Sequence, residues 1–444
     1  MSAPKRILIL GAAGRDFHLF NTCFRGRQDL RVVAFTATQI PFIDERRYPP
    51  ELAGPGYPDG IPIHPEEDLV DLLRNESVDE AIFAYSDVSN DYVEGHRKLV
   101  TSEGVAFSTF DVDATMIEST KPVIAICAVR TGCGKSQTAR RVAEILEGMG
   151  KRVAAIRHPM PYGDLAKQAV QRFETLEDLD EHECTIEERE EYEPHLKRGF
   201  LVYAGVDFEA ILRQAEEEVD VILWDGGNND TPFYKPDLWI TVVDPLRPGH
   251  ELLYFPGTEN FKRADVIVFN KMDEAEEADV ATITTNIEEY NPTAQIVMAD
   301  SKLTIDKPEL IRGKKVLVVE DGPTLTHGGM KIGAGTVAAR RAGAAGFVDP
   351  RPWLVGTLVD TFDKYPGIGT LLPAMGYGEQ QISDLEKTID ACECDAVVVG
   401  TPIDLASLIK IDKPVVRVSY DLEELGKPNL TEILQEKLGL TAKA

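Results

Sequence analysis

The stretch PVIAICAVRTGCGKSQTARRVAEILEGMG, residues 122–150, carries the strongest structural signal in the chain. An apolar run is followed by a short loop with two glycines, and then by a segment with apolar residues at helical spacing. The pattern predicts a buried strand, a glycine loop and an amphipathic helix. The backbone N–H groups of such a loop, together with the N-terminus of the helix, can bind phosphate oxygens.

The loop resembles the phosphate-binding sequence G-x-x-x-x-G-K-[ST], except that Val129 replaces the first glycine. It is similar to the form K-G-G-x-G-K-T of a branch of P-loop proteins, with Arg130 in place of the extra lysine. Lys135 would then reach the β- and γ-phosphates, and the hydroxyl of Ser136 would bind Mg²⁺. Arg130 would either meet the transferred phosphoryl group or lie at the surface. The nucleotide-binding residues predicted in this loop are Arg130, Thr131, Gly132, Cys133, Gly134, Lys135, Ser136 and Gln137.

Two later strand ends complete a nucleotide site. VILWDGG, residues 221–227, is an apolar strand that ends in Asp225, whose carboxylate would hold Mg²⁺ directly or through water. We therefore predict Ser136 and Asp225 as metal ligands. The predicted catalytic residues are Arg130, Lys135 and Asp225.

The second strand end is VIVFNKMD, residues 266–273, which matches the base-reading motif N-K-x-D of GTPases. It adds Asn270, Lys271 and Asp273 to the nucleotide-binding set. The carboxylate of the aspartate can accept hydrogen bonds from guanine, and the lysine stem can pack along the ring. Related folds use similar loops for adenine, so both ATP and GTP fit this pattern.

The pattern of elements predicts an α/β protein. An N-terminal Rossmann-like domain at residues 1–120 is followed by a P-loop NTPase domain with a parallel sheet at 121–304, and by a C-terminal α/β segment at 305–444. The last segment includes WLVGTLVD, residues 353–360, which we interpret as a strand, whereas the Pro- and Gly-rich residues 41–65 predict an ordered loop. The acidic tract near 174–194 would be a solvated helical insertion or a lid over the site.

Composition excludes several classes of protein. A net charge of −28 argues against a general nucleic-acid or anionic-membrane partner. No apolar stretch approaches the ~20 residues that span a bilayer, and the six cysteines lack zinc-site spacing and suit the reducing cytoplasm. Gly11 and Gly14 lack the third glycine of the dinucleotide fingerprint, so NAD is not expected.

The order of three blocks resembles one family over nearly the whole chain. KPVIAICAVRTGCGKSQTARR, WDGGNNDTPF and EDGPTLTHGGMKIGAG follow an N-terminal Rossmann-like domain, a layout similar to that of the cyclic 2,3-diphosphoglycerate synthetases. The resemblance implies a cytoplasmic homodimer that uses a nucleotide and Mg²⁺ to close 2,3-diphosphoglycerate into a ring through an intramolecular phosphoanhydride. Bacterial relatives are often labelled only as GTPases.

Closing such a ring needs cations more than it needs a base, because phosphate is already a nucleophile at neutral pH. The predicted substrate-binding residues are Arg157, His158, Asp230, His327 and Lys331. Arg157 would either bind a substrate phosphate or form a salt bridge with the acidic tract. Two rival functions remain: a GTPase switch or assembly factor, and a kinase or ligase that acts on another phosphorylated or carboxylic acid.

Overall fold

The computed structural model describes residues 3–12, 14–38, 46–158, 163–326, 329–374 and 379–439. In these ranges the chain forms a mixed α/β structure with two large sheets, which are mostly parallel, and a two-stranded ribbon. The alternation of apolar strands and helices therefore predicts the fold class correctly. Within the described ranges, no helix is both long enough and apolar enough to cross a membrane.

The first sheet lies at the N-terminus. Its part of the chain contains the strands β1 (Lys5–Leu10), β2 (Leu30–Ala37), β3 (Arg47–Tyr48), β4 (Ile61–Pro65), β5 (Glu80–Phe83), β6 (Val88–Ser89) and β7 (Ala106–Thr109). The helices are α1 (Arg15–Leu19), α2 (Pro50–Ala53), α3 (Leu69–Asn75) and α4 (Asn90–Ser102). The strand order is β3-β4-β2-β1-β5-β7, with β3–β4 as the antiparallel pair. The expectation of a loop over residues 41–65 was wrong where β3, α2 and β4 form, with β4 paired with β2, and residues 41–45 lie outside the described residues.

The second sheet starts at the strand that was predicted before the glycine loop. The strands are β8 (Val123–Ala128), β9 (Val153–Arg157), β10 (Gln171–Phe173), β11 (Leu201–Ala204), β12 (Val221–Gly226), β13 (Leu238–Val243), β14 (Tyr254–Phe255), β15 (Val266–Phe269) and β16 (Gln295–Ile305). The helices are α5 (Lys135–Gly148), α6 (Glu177–Glu181), α7 (Ile186–Leu196), α8 (Phe208–Glu218), α9 (His250–Leu253), α10 (Gly257–Arg263) and α11 (Glu277–Tyr290). The order is β10-β11-β9-β12-β8-β13-β15-β16, while β14 pairs with β6.

The C-terminal segment continues this second sheet. It contains β17 (Lys315–Asp321), β18 (Gly346–Phe347), β19 (Leu372–Ala374), β20 (Ala396–Val399) and β21 (Val415–Glu424). Its helices are α12 (Gly322–Thr326), α13 (Ala334–Arg341), α14 (Thr357–Lys364), α15 (Glu379–Ala391), α16 (Leu405–Leu408) and α17 (Leu430–Lys437). The long strand β16 pairs with β15 through its first half and antiparallel with β21 through its second half. The segment is therefore joined to the P-loop sheet by backbone hydrogen bonds.

Residues 357–364 form a helix, so the predicted strand WLVGTLVD was wrong. Leu358 and Phe362 are buried four residues apart, which places both on one face of α14. The carboxylate of Asp384 accepts hydrogen bonds from the backbone N–H of Thr357 at 3.0 Å and from its hydroxyl at 3.1 Å. This bond to the first turn of the helix stabilises α14 against the extended conformation that its β-branched residues favour.

The acidic tract is not a solvated insertion as a whole. Helix α6 is mostly exposed, whereas nine of the eleven residues of α7 are buried, including Glu187, Glu190 and Glu193. A capping box between Thr185 and Glu188 starts this helix. The expectation failed because the carboxylates of α7 have buried partners in other elements, which the local sequence does not show.

The elements of the first sheet, called the N-terminal domain below, pack on the elements around the glycine loop, called the P-loop domain, through a buried polar and aromatic interface. Arg15 forms an ion pair with Asp230 at 2.9 Å and lies 4.1 Å from the ring of Phe233. His18 stacks on the same ring at 4.0 Å. Since these side chains are buried, the interface holds the N-terminal domain against the loop that follows β12.

Candidate functional site

The glycine loop has a backbone conformation that requires glycine at two positions. Gly132 and Gly134 adopt φ angles of 83° and 106°, which disfavour other residue types. A Cβ at Gly134 would lie 2.0 Å from Nδ2 of Asn270. Helix α5 begins at the next residue, so the loop amides and the helix N-terminus point into the same space.

Asp225 is the centre of a buried charged cluster at the end of β12. Its side chain is 0% exposed. Lys135 donates to its Oδ1 at 2.8 Å, whereas Arg157 approaches its Oδ2 at 2.7 Å and Nε2 of His195 lies 3.1 Å from the same oxygen. Arg157 also pairs with Glu191 of α7. Thus Arg157 forms the salt bridge to the acidic tract that was one of its two expected roles.

These contacts determine the charge states of the cluster. Burial alone would raise the pKa of Asp225, but Arg157 and Lys135 hold the pKa well below its usual range. Burial and the nearby Arg157 lower the pKa of Lys135 to about 8, against the opposing effect of Asp225. Burial likewise lowers the pKa of His195. The cluster therefore holds an ionised carboxylate between cationic and neutral donors.

The N-K-x-D loop contacts the phosphate loop directly. Nδ2 of Asn270 donates to the carbonyl oxygen of Cys133 at 2.9 Å. Nζ of Lys271 donates to the carbonyl oxygen of Gly132 at 2.7 Å and to Asp244 at 2.8 Å. Asp273 lines the cleft described below and accepts a hydrogen bond from Arg341 at 2.8 Å. Two residues of the motif thus contact the glycine loop, and the third lines the cleft.

The N-terminal domain supplies Asp87 to the phosphate loop. Oδ1 of Asp87 lies 3.0 Å from Nε of Arg130, and its Oδ2 accepts a hydrogen bond from the backbone N–H of Thr131 at 3.3 Å. The guanidinium of Arg130 also lies over the ring of Tyr254, 3.7 Å from its centre. Because Arg130 is only 5% exposed, it is not the surface residue that was one of its two expected roles.

A cleft of about 230 Å³ opens in front of the phosphate loop. One wall consists of loop and α5 residues, and the opposite wall comes from the C-terminal segment, at the ends of β17 and β20 and the start of α13. Ligands of α/β proteins bind beyond the carboxyl ends of strands. The charged residues that line this cleft are Arg130, Lys135, Glu191, Lys271, Asp273, Glu274, Glu320 and Asp321.

Glu320 is built into the far wall of the cleft. Its carboxylate accepts hydrogen bonds from the backbone N–H groups of Gly333, Gly335 and Thr336, at 3.2, 3.1 and 2.7 Å. A Cβ at Gly333 would lie 2.6 Å from this carboxylate, so the glycines of the segment permit the close approach. Burial raises the pKa of Glu320 despite these bonds. The glycine-rich segment, which contains the predicted substrate-binding residue Lys331, thus wraps around a side chain of its own chain.

The predicted substrate-binding residues are dispersed. His158 is packed against Phe233 and Trp224 at the interface with the N-terminal domain, and Asp230 pairs with Arg15 there. Neither residue lines the cleft. Lys331 is exposed between Met330 and Ile332, which do line it. His327 lies outside the described residues.

The residues of the site that sequence reasoning missed include Asp87, Glu191, His195, Glu320 and Asp321. Glu320 and Asp321 had a usable signal, because they lie at the end of the apolar strand KVLVVED as Asp225 lies near the end of its own strand. Asp87 lies four residues after β5 and directly before β6. Glu191 and His195 had no such signal, since they stand in a helix whose neighbours in the sequence are mostly charged.

The donors present fit a magnesium ion that is held mainly by a nucleotide. Asp225 is bonded to Lys135, the residue before Ser136, so the predicted carboxylate and hydroxyl ligands lie at the same end of α5. Within the described ranges, no cluster of three or more His, Cys, Asp or Glu side chains could hold a metal ion on its own. Magnesium suits this arrangement, because it commonly binds one or two protein ligands together with substrate phosphates and water.

Comparison with known proteins identifies the family. The chain is 59% identical over 432 residues to the arginine synthetase ArcE of Thermococcus kodakarensis, and the match covers 97% of this chain and 96% of that protein. The chain belongs to the family of this arginine synthetase. The match confirms the expected relationship to a synthetase, although the relative's name specifies arginine and not cyclic 2,3-diphosphoglycerate.

Two further comparisons add little. No family model matches the sequence. The crystal structure of LpxK from Aquifex aeolicus in complex with ATP aligns with 78% of this chain and 95% of that chain, at 12% identity and a TM-score of 0.44. This likeness is too weak to assign a fold.

Proposed function

We propose that the chain is an arginine synthetase that depends on a nucleoside triphosphate and Mg²⁺. The observation that carries the proposal is the 59% identity to an arginine synthetase over nearly the full length of both proteins. The phosphate loop, with Lys135 at Asp225, supplies the machinery for phosphoryl transfer from the nucleotide.

The chemistry follows from the product. Arginine differs from its ureido analogue citrulline in having a nitrogen where citrulline has the ureido oxygen. That oxygen is a poor leaving group until it is phosphorylated. The ureido oxygen therefore attacks the γ-phosphorus, and the nucleoside diphosphate leaves. Ammonia then attacks the ureido carbon and inorganic phosphate departs, so citrulline, ammonia and ATP or GTP give arginine, phosphate and ADP or GDP.

The chain's own residues have defined parts in this proposal. Lys135 exchanges its bond to Asp225 for the nucleotide phosphates, while Arg157 stays fixed between Asp225 and Glu191. Ser136 and Asp225 would hold Mg²⁺, which when bound neutralises charge on the transferred phosphoryl group. Arg130, which is paired with Asp87, adds its positive charge to the same loop and lines the cleft. Such a site accelerates transfer by positioning and by charge neutralisation.

The charge of the cleft favours this substrate class. Five carboxyl side chains and three cationic side chains line it among the described residues, and the far wall contributes Glu320 and Asp321. All three cations are already paired, Arg130 with Asp87, Lys135 with Asp225 and Lys271 with Asp244. An acidic wall attracts an ammonium ion and the amino group of an amino acid, whereas it repels a substrate that carries two phosphates.

Closure of 2,3-diphosphoglycerate into a ring is the second candidate. The observation in its favour is the concentration of Arg130, Lys135 and Arg157 around the phosphate loop. In this candidate reaction, those three cations would have to neutralise the nucleotide phosphates and two substrate phosphates at the same time. In the first candidate reaction, they would neutralise only the phosphates of the nucleotide.

A product assay separates the candidates. The protein is incubated with Mg²⁺, ATP or GTP, and either citrulline with ammonium or 2,3-diphosphoglycerate. Amino acids are analysed by mass spectrometry and phosphates by ³¹P NMR. We expect arginine and inorganic phosphate in equal amounts with the first pair of substrates, and no reaction after Lys135→Ala. A cyclic phosphoanhydride with 2,3-diphosphoglycerate, and no arginine, would contradict the proposal.

A further inference from the structure

His195 is the part of the Asp225 cluster that no nucleotide-binding motif predicts. It lies near the C-terminal end of α7, its side chain is 1% exposed, and its Nε2 is 3.1 Å from Oδ2 of Asp225. The two oxygens of the Asp225 carboxylate therefore have different partners, because Lys135 binds Oδ1 whereas His195 contacts Oδ2.

Helix α7 holds the imidazole firmly in this place. The capping box at Thr185 starts the helix, and the hydroxyl of Tyr192 donates to the carbonyl oxygen of His158 at 3.1 Å. Glu190 accepts a hydrogen bond from Thr401 of the C-terminal segment at 2.5 Å. His195 is therefore anchored from both the P-loop domain and the C-terminal segment.

The separate partners of the two Asp225 oxygens affect which oxygen is available to a metal when a nucleotide binds. Lys135 is expected to leave Oδ1 for the phosphates, because P-loop lysines bind there. Oδ1 then becomes available to the metal, while Oδ2 keeps Arg157 and His195. A carboxylate held by one partner can rotate about its Cβ–Cγ bond, whereas two donors from different elements fix its plane.

We propose that His195 is a positioning residue for the metal site: its Nε2–H holds Oδ2 of Asp225 so that Oδ1 faces the metal and the nucleotide. This inference rests on the proposed phosphoryl-transfer function but not on the identity of the acceptor. Groups that orient a ligating side chain change metal affinity 10- to 100-fold when they are removed.

The test uses two amides that differ by one methylene. In His195→Gln the amide nitrogen can take the place of Nε2, whereas in His195→Asn it ends near the place of Nδ1 and does not reach Oδ2. Binding of Mn²⁺ is measured by electron paramagnetic resonance with the full-length protein and a non-hydrolysable ATP or GTP analogue. Binding of the same analogue without metal is measured by calorimetry. His182→Gln, in the exposed part of the same tract, is the control.

We expect His195→Asn to weaken Mn²⁺ binding about tenfold or more and His195→Gln to stay within about threefold of the unchanged protein. Both His195 variants should bind the analogue without metal as tightly as the unchanged protein does. The His182→Gln variant should match the unchanged protein in both measurements. Normal Mn²⁺ affinity in His195→Asn would overturn the proposal. Equal losses in both His195 variants, or an equal loss of metal-free binding, would overturn it as well, because they would indicate a structural role only.

Discussion

Lys135 and Asp225 are bound to each other, with Nζ of the lysine 2.8 Å from Oδ1 of the carboxylate. The two residues lie on different elements, at the start of α5 and at the end of β12. The lysine of the glycine loop is therefore engaged by a carboxylate. In the proposed function a nucleotide displaces this carboxylate from the lysine, so that nucleotide binding releases the proposed metal ligand.

Removal of the lysine tests the phosphate loop. Lys135→Ala should lower kcat for nucleotide turnover by at least about a thousandfold, since it removes the cation that contacts the transferred phosphate. Phosphate release and circular dichroism are measured together. Lys151→Ala, just beyond the other end of α5, is the matched control and should retain full turnover. Retained turnover in Lys135→Ala would exclude this loop from the mechanism.

The contact from the N-terminal domain should be needed for nucleotide affinity. Asp87→Asn keeps the shape of the side chain but removes the charge that pairs with Arg130. A hydrogen bond or ion pair with a charged partner contributes about 1.5–3 kcal/mol, so we expect KM for the nucleotide to rise about tenfold or more. Steady-state kinetics measure the change, and Asp91→Asn, on the exposed side of α4, is the control. An unchanged KM would show that the N-terminal domain does not act on the loop through Asp87.

The choice of base depends on Asp273. Asp273→Asn should weaken GTP binding by about tenfold and leave ATP binding less affected, because only guanine offers the two N–H donors that this carboxylate can accept. Calorimetric titrations with both nucleotides give the comparison. Arg341→Ala is the companion variant, since it removes the partner of Asp273 and leaves the carboxylate in place. If neither nucleotide responds to Asp273→Asn, this loop does not form the base pocket.

Stability should depend on pH through Glu190. Burial, together with the charge of Asp321, raises the pKa of Glu190 well above its usual range. A carboxyl group whose pKa is raised by folding stabilises the protein below its unfolded pKa, and this contribution is lost as the pH rises towards the folded pKa.

Glu190→Gln stays neutral at every pH, so it should raise the melting temperature near pH 8 by at least about 2 °C more than near pH 5. Differential scanning calorimetry at both pH values provides the measurement. Glu217→Gln, at an exposed position of α8, should show no such difference. An equal effect of Glu190→Gln at the two pH values would contradict the buried, protonated state.

The positions of the residues around the glycine loop could be predicted from the sequence because their signals are local. Gly134, Lys135 and Asp225 each follow or begin an element with a clear apolar pattern, so their places in the sheet could be derived from strand order. The structure brings the three together at the start of α5 and the end of β12, as expected from parallel strands.

The other half of the site depends on contacts between distant segments. His195 reaches Asp225 from 30 residues away, and Glu320 is enclosed by glycines that follow it in the chain. The sequence of helix α7 alone suggests a solvated helix, because burial of its glutamates depends on distant partners such as Thr401. Periodicity reports which face of an element is apolar, and it does not report which charged face finds a partner.

In the proposed reaction, the inorganic phosphate that is released carries one oxygen atom from the ureido group of the acceptor. The protein is supplied with Mg²⁺, nucleotide, ammonium and citrulline labelled with ¹⁸O at the ureido group, and the inorganic phosphate is analysed by mass spectrometry. Phosphorylation of the ureido oxygen predicts one ¹⁸O atom in each phosphate and an equal amount of arginine. Arginine formed with unlabelled phosphate, or phosphate released without arginine, would contradict phosphorylation of the ureido oxygen.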